Sequence, residues 1–286
     1  MKRKLLAALG LGAALAASPA AAQGTCDRAL LQGMADNWVE GVEKGSPFTM
    51  KLGEWVEFWE NLDLASMSAF FTEPRKVAWH RAVLDTSGCK AFVESVIVDG
   101  DRPMVLAARL TNGFFGVSPI EIVVSEQGDW LFDPQATANY ARREDWSPIP
   151  QGERMSRDEL VAVANAYLDR FSDKSVTVPF NVPCNRLEGG MYTGKGQADD
   201  SCDIGFPEGV AMAERSYLVD RDMGTVNVFL RMGANKRADS HTFRIEQGKI
   251  RYVHTVTNCG EQANCGFPPF AEMLKTNPGM QPKIED

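Results

Sequence analysis

The segment Asp239-Ser-His-Thr-Phe-Arg-Ile-Glu-Gln-Gly-Lys-Ile-Arg-Tyr-Val-His-Thr-Val-Thr257 decides the fold, because it contains two alternating apolar and polar runs around a short turn. Gln247-Gly248 forms the turn, since glycine tolerates the positive φ that a two-residue hairpin loop requires. Such a loop fixes the register. Three facing pairs then share one face of a sheet: Ile245 with Ile250, Phe243 with Tyr252, and His241 with His254.

The two histidines of this hairpin are the first candidate site residues. The whole chain has three histidines, so finding two of them opposed is notable. Directly opposed residues have Cβ atoms about 5 Å apart, and histidine titrates near neutral pH. A single histidine on an apolar face is usually a core residue. The opposed pair leaves a core role and a functional site equally open.

The N-terminus predicts export. A basic start, Met1-Lys-Arg-Lys, precedes an apolar run from Leu5 to Ala17 and the small residues Ala20 to Ala22. This pattern is typical of a signal peptide over residues 1–22, and its apolar run is too short for a membrane anchor. We expect a periplasmic or secreted protein without membrane insertion. Cleavage would remove three basic residues and shift the formal charge from -8 to -11. This acidity argues against nucleic acid or an anionic membrane as a partner.

The cysteine content supports the same compartment. Six cysteines in an exported chain favour disulfides over zinc. Six cysteines allow fifteen pairings, of which we expect the local one: Cys26 with Cys89, Cys184 with Cys202, and Cys259 with Cys265.

The chain reads as a diverged duplication. The helical pattern of residues 31–40 recurs about 129 residues later, at 160–169, where Ser156 and Glu159 predict a capping box. Strands follow each helix, roughly at 90–98, 103–111 and 119–126, and then at 215–220, 225–232 and the hairpin. A turn-rich linker, residues 146–152, places a boundary near residue 150 between domains 23–150 and 151–286. Helices followed by antiparallel strands, twice over, predict an α+β fold. The proline-containing tail from Gly266 is expected to be extended.

Two segments carry a family resemblance. Asn185-Arg-Leu-Glu-Gly-Gly-Met-Tyr-Thr-Gly194 and the hairpin, in this order of elements, resemble the nuclear transport factor two-like (SnoaL-like) superfamily, and more narrowly a poorly characterised group of secreted bacterial and fungal proteins. The resemblance is clearest over residues 153–259. It implies two tandem cone-shaped domains, each a curved antiparallel sheet packed on helices around an apolar pocket, in a pseudo-dimer. Members of the superfamily include cofactor-free lyases and isomerases, and also binding domains, so the fold alone does not settle the function.

Residues that can move a proton are placed in the second half. Arg186 and Glu188 lie two apart and share a face of a regular strand. With His241 and His254 they form a set whose pKa values burial can tune. The resemblance further implies that Tyr192 donates a hydrogen bond to a developing oxyanion. Three other aromatic residues are predicted to contact substrate: Tyr252, Phe243 and Tyr217.

The resulting hypothesis is an exported lyase or isomerase that needs no cofactor and acts on a small apolar, oxygenated or aromatic compound. His254 is its general acid or base, and His241 orients it. The first half lacks counterparts of both histidines and acts as a built-in partner, so the protein is a monomeric pseudo-dimer or a homodimer.

Other interpretations remain open at the sequence level. Arg186 and Glu188 could be a structural ion pair, and Tyr192 a plain residue at the edge of the core. His241, His254 and Glu188 are also the residue types of a two-histidine, one-carboxylate metal site. A secreted small-molecule-binding protein without chemistry is the rival function. The chain contains no glycine-rich phosphate loop, GxSxG or HExxH motif.

Overall fold

A computed structural model describes residues 26–276. The signal peptide expected at residues 1–22 lies outside the described residues. The fold is α+β, with two six-stranded mixed sheets and few helices. Within residues 26–276, no helix has the length and apolar character needed to cross a membrane.

The first half begins with a helix that buries one stripe. In α1 (Arg28–Lys44) the residues Leu31, Met34, Ala35 and Trp38 are buried, as the helical spacing predicted. Asp27 caps its N-terminus, and Gly45, at φ 61°, ends it. The remaining elements, in chain order, are β1 (Phe58–Glu60), β2 (Asp63–Leu64), the one-turn α2 (Met67–Phe70), β3 (Trp79–Asp85), β4 (Lys90–Ile97), β5 (Met104–Asn112), β6 (Val117–Ser125) and α3 (Pro134–Ala141).

The second half repeats this order. Helix α4 (Arg157–Asp169) starts at the predicted capping box, in which Ser156 and Glu159 bond each other's backbone N–H groups. The strands are β7 (Phe180–Glu188), β8 (Met191–Tyr192), β9 (Met212–Asp220), β10 (Thr225–Met232), β11 (Arg237–Glu246) and β12 (Lys249–Thr257). The chain continues into α5 (Phe270–Thr276), so the expectation of a purely extended tail was wrong.

The two sheets have equivalent strand orders, β2-β1-β6-β5-β4-β3 and β8-β7-β12-β11-β10-β9. In each, four strands form an antiparallel meander. The strand that follows the helix then pairs in parallel with the last strand of the meander, β1 with β6 and β7 with β12. The expectation of purely antiparallel sheets was therefore wrong: β1 and β7 run in the same direction as β6 and β12, from which they are separated by the other strands of their sheets and not by a hairpin.

Equivalent contacts cross between the halves. The carboxylate of Asp85, at the end of β3, accepts the backbone N–H of Val219 at 3.0 Å and pairs with Arg157 at the start of α4. In the reverse direction, Asp220 at the end of β9 accepts the backbone N–H of Leu84 at 2.9 Å and pairs with Arg28 at the start of α1. This reciprocal arrangement fits the predicted duplication.

The hairpin has the expected turn but a different register. Gln247 and Gly248 both adopt positive φ, and Ile245 faces Ile250 as predicted. A β-bulge follows, so that Thr242 faces His254 and His241 faces Thr255. The extra residue moves the rest of β12 by one position and turns every later side chain to the other face. The predicted pairing of Phe243 with Tyr252 and of His241 with His254 is therefore wrong.

The hydrophobic residues form three clusters. One lies between α1 and the first sheet, and a second between α4 and the second sheet. The third lies between the two sheets and includes Phe92 and Val105 of the first half with Phe229 and Val256 of the second. All three predicted disulfides are present, Cys26–Cys89, Cys184–Cys202 and Cys259–Cys265.

Candidate functional site

A cavity lies on the α4 side of the second sheet. Its empty space, including the opening, is about 530 Å³. Most of the surface is apolar. The apolar side chains come from five separate parts of the chain and are Trp130, Phe171, Pro207, Met212, Met232, Phe267 and Met273. The polar residues are fewer, and all come from β7, β11 and β12: Arg186, Glu188, Asp239, His241, Thr255 and Thr257. An apolar cavity with a few convergent polar groups is the usual form of a small-molecule site.

Asp239 and His241 form a buried pair at the cavity wall. Being two apart in β11, they share a face, and His241 Nδ1 lies 2.5 Å from Asp239 Oδ1. Thr257 donates to the other carboxylate oxygen at 2.6 Å, which fixes the orientation of Asp239. A carboxylate partner for Nδ1 places the proton of a neutral imidazole there and leaves Nε2 as the acceptor. Nε2 has no hydrogen-bond partner among residues 26–276, and the ring lines the cavity.

Arg186 and Glu188 form the second polar pair of the wall. Arg186 is 2% exposed, and its Nε donates to Glu188 Oε1 at 2.7 Å. Its terminal nitrogens donate to Glu188 and to the carbonyls of Cys202 and Ile204. Burial lowers the pKa of Arg186, but Glu188 outweighs this effect and raises it, so the guanidinium stays charged. The sequence predicted these two residues on one face, and the structure brings them to the same cavity as His241.

Tyr167 of α4 stands directly behind this wall. Its ring centroid lies 5.8 Å from that of His241 and 5.6 Å from that of Phe171, and the Arg186 guanidinium carbon is 5.8 Å from it. The side chain is fully buried, and among residues 26–276 its hydroxyl has no hydrogen-bond partner. Burial raises the pKa of Tyr167, so the hydroxyl remains protonated. Unpartnered buried hydroxyls are rare and destabilising.

His254 lies on the opposite face of the second sheet, against the first half. Its Nδ1 is 2.9 Å from Glu94 Oε1 of β4, and its Nε2 is 2.6 Å from Glu144 Oε2, which follows α3. Both ring nitrogens donate, so the ring is an imidazolium. Burial alone would lower the pKa of His254, but Glu144 and Glu94 outweigh it and raise it to about 9. His254 is thus held by two carboxylates and is remote from the cavity.

Two other predicted site residues, Tyr192 and Tyr252, lie on the side of His254 and do not line the cavity. Tyr192 donates to Glu144 Oε1 at 3.1 Å and stacks on Tyr140 at 4.6 Å. Burial and then Glu144 raise the pKa of Tyr192. Tyr252 stacks on Trp146 at 5.8 Å on the same face as His254.

The other two predicted substrate contacts are structural. Phe243 is fully buried beneath His241, with ring centroids 5.9 Å apart. Tyr217 donates to Asn165 at 2.7 Å and packs at the edge of the second core. Neither lines the cavity.

The observed strand register is incompatible with a metal site formed by His241, His254 and Glu188. The two histidines lie on opposite faces of the sheet, so these three side chains cannot converge on one ion. Across residues 26–276, no group of three His, Cys, Asp or Glu side chains is placed to hold a metal.

The sequence interpretation missed most of the residues at or behind the cavity, and Asp239, Tyr167 and Trp130 are the most informative of these. Asp239 could have been predicted, because it stands two positions before His241 in the same strand and therefore shares its face. Tyr167 was assigned to a buried helical stripe, and that stripe gave no sign that its hydroxyl would lack a partner. Trp130 comes from the segment after β6, and its place in the cavity depends on how the two halves pack.

Comparisons with known proteins find one similarity, in the second half of the chain. Residues 153–257 match a domain of unknown function (DUF8021). No curated protein and no solved structure matches the chain. The matched region contains Asp239, His241, Arg186, Glu188 and Tyr167, whereas Trp130 and Phe267 lie outside it.

Proposed function

We propose that this protein is an exported, SnoaL-like acid–base enzyme that isomerises, or eliminates water from, a small apolar and oxygenated compound without a cofactor. The observation that carries the proposal is the Asp239–His241 pair, whose unpartnered Nε2 belongs to a ring lining an apolar cavity. The three disulfides support an oxidising compartment.

The fold supports the superfamily assignment. In each half a helix packs on one face of a six-stranded sheet, and the strands follow one another in the same order. The opposite faces of the two sheets pack together within one chain. Such a pseudo-dimer leaves each helix-covered side free to enclose a ligand, and the second half contains the cavity.

His241, and not His254, takes the role of general base. Nε2 removes a proton from a carbon next to a carbonyl, and the C–H electron pair moves onto the carbonyl oxygen as an enolate. Asp239 stabilises the imidazolium that forms, because its carboxylate accepts the hydrogen bond from Nδ1–H throughout and the proton stays on Nδ1. The proton then returns to a different carbon in an isomerisation. In an elimination it leaves with the departing hydroxyl as water. A positioned base of this kind contributes about 10²- to 10⁴-fold in rate.

The first test measures proton transfer directly. The α-hydrogens of 1-tetralone, a neutral aromatic ketone, exchange with D₂O, and proton NMR follows their loss. We expect the protein to accelerate this exchange, and His241→Ala to reduce the acceleration by about 100-fold or more. His80→Ala is the matched control, because His80 is an exposed histidine of β3. Equal exchange with the wild type and His241→Ala would contradict the proposal.

The rival function is a binding protein that uses the same cavity. It is favoured by the Arg186–Glu188 pair, whose charges satisfy each other and leave no free cation in the cavity wall among residues 26–276. In that case 1-tetralone binds with the same affinity to the wild type and to His241→Ala, and neither accelerates exchange.

A further inference from the structure

Trp130 is brought to the cavity from outside the second sheet. It lies between β6 and α3, and its ring contacts that of Phe267 with centroids 4.9 Å apart and planes at 62°. Phe267 follows the Cys259–Cys265 disulfide, at the start of the segment that leads to α5. The cavity is therefore completed by two segments that lie outside the region 153–257 matched by the domain family.

The backbone around Trp130 is fixed before any ligand arrives. The Trp130 N–H donates to Cys259 Sγ at 3.2 Å, and the Asp129 carboxylate accepts the Cys259 N–H at 2.6 Å. Gly189, at φ 64°, packs so closely that a Cβ there would lie 2.4 Å from the Trp130 carbonyl oxygen. The position of Trp130 at the cavity therefore needs no backbone rearrangement on binding, which favours affinity.

The rings at the cavity set the chemistry it accepts. Trp130, Phe171 and Phe267 all border the same space, and aromatic pairs gain about 0.5–1.5 kcal/mol beyond their buried area. Arg186 is neutralised by Glu188, so the wall offers little attraction for an anion. We propose that Trp130 is the specificity-determining residue of the cavity and selects uncharged ligands with a flat aromatic ring. This inference deepens the proposed function and depends on the cavity being its ligand site.

The test compares two probes of equal carbon skeleton, 2-naphthol, which is flat, and decahydro-2-naphthol, which is saturated. Isothermal titration calorimetry gives a Kd for each. We expect the wild type to prefer 2-naphthol, and Trp130→Ala to reduce this preference by about 2- to 12-fold, the gain of one aromatic pair. Trp130→Phe should retain most of the preference. Trp55→Ala is the matched control, because Trp55 is 87% exposed. Thermal unfolding checks that each variant is folded.

Each outcome decides between the two proposals. An unchanged preference in a folded Trp130→Ala variant would overturn the role of Trp130, as would a wild type that does not prefer 2-naphthol. Proton exchange that still depends on His241 would leave the proposed function standing in both cases. Conversely, a preference that depends on Trp130, without any exchange, would support this inference and reject the enzyme in favour of a binding protein.

Discussion

His241 and His254 lie on neighbouring strands of one hairpin and differ in almost every other respect. His241 faces the cavity, has one carboxylate partner and keeps Nε2 without a partner among the described residues. His254 faces the first half, and both of its nitrogens bond carboxylates. A base must have a nitrogen available for substrate, so the first environment suits catalysis and the second suits structure. The face of the strand, and not the residue type, separates the two roles.

The two histidines have different neighbours. Around His254, the Arg81 guanidinium lies between the rings of Trp79 and Trp146, and its Nη2 is 3.8 Å from Glu144. Behind His241 stands Tyr167 of α4, whose ring centroid is 5.8 Å from that of His241. Each neighbourhood contains a buried polar atom without a hydrogen-bond partner among residues 26–276, Arg81 Nη1 in the first and the Tyr167 hydroxyl in the second, so unsatisfied groups do not distinguish the two environments.

The largest expected effect is that of His254→Ala on stability. This change leaves Glu94 and Glu144 buried without the cation between them, and loss of one partner from a buried ion pair costs about 3–5 kcal/mol. His241→Ala removes one hydrogen bond beside a cavity, and we expect a loss of about 1–3 kcal/mol. Urea denaturation at pH 7 measures both free energies of unfolding. Equal losses in the two variants would remove the distinction drawn between the two histidines.

The pH dependence of stability should follow His254. Its pKa is about 9 in the folded protein and near 6.5 when unfolded, so the folded state holds the extra proton between these values. The stabilisation is therefore complete below pH 6.5 and is lost as the pH rises through 9, a change on the order of 3 kcal/mol. Urea denaturation from pH 6 to 10 measures it. His241→Ala should keep this slope, and a flat wild-type profile would contradict the imidazolium assignment.

The smallest expected effect concerns Tyr167, which packs behind His241. Tyr167→Phe removes a buried hydroxyl that has no hydrogen-bond partner among residues 26–276, so we expect the free energy of unfolding to rise by about 1 kcal/mol. Tyr217→Phe is the matched control, because the Tyr217 hydroxyl bonds Asn165 and its removal should lower stability by about 1 kcal/mol. The two variants are compared by urea denaturation. Equal losses would show that the Tyr167 hydroxyl has a partner after all.

Much of the fold followed from local sequence signals. The buried stripe of α1, the capping box of α4, the turn at Gln247-Gly248 and strand β10 all depend on residues close in sequence, and each was predicted. The short strands β1 and β2 and helix α3 were not predicted, because they are held in place by tertiary contacts. The expectation of purely antiparallel sheets was wrong because β1 pairs with β6, and β7 with β12, over long sequence separations that no local signal reports.

The candidate site was predicted less well, and one residue explains most of the difference. The bulge between Ile250 and Tyr252 turned His254 and Tyr252 away from the cavity, and Arg251 has no feature that distinguishes it from an ordinary strand residue. The prediction that Arg186 and Glu188 share one face was confirmed, because their two-residue spacing lies within a single strand. Asp239 and His241 have that same spacing, and it was the more reliable signal in the hairpin.

The reciprocal contacts of Asp85 and Asp220 bear on how the two halves stay associated when the protein is diluted. Each aspartate accepts a backbone N–H from a strand of the other half and forms an ion pair with the arginine at the start of the helix in that half. Because both halves belong to one chain, their effective concentration is set by the linker and not by the amount of protein. Two separate subunits with the same contacts would dissociate when sufficiently diluted. This chain keeps its halves together, and with them the placement of Trp130 beside the cavity, at any concentration.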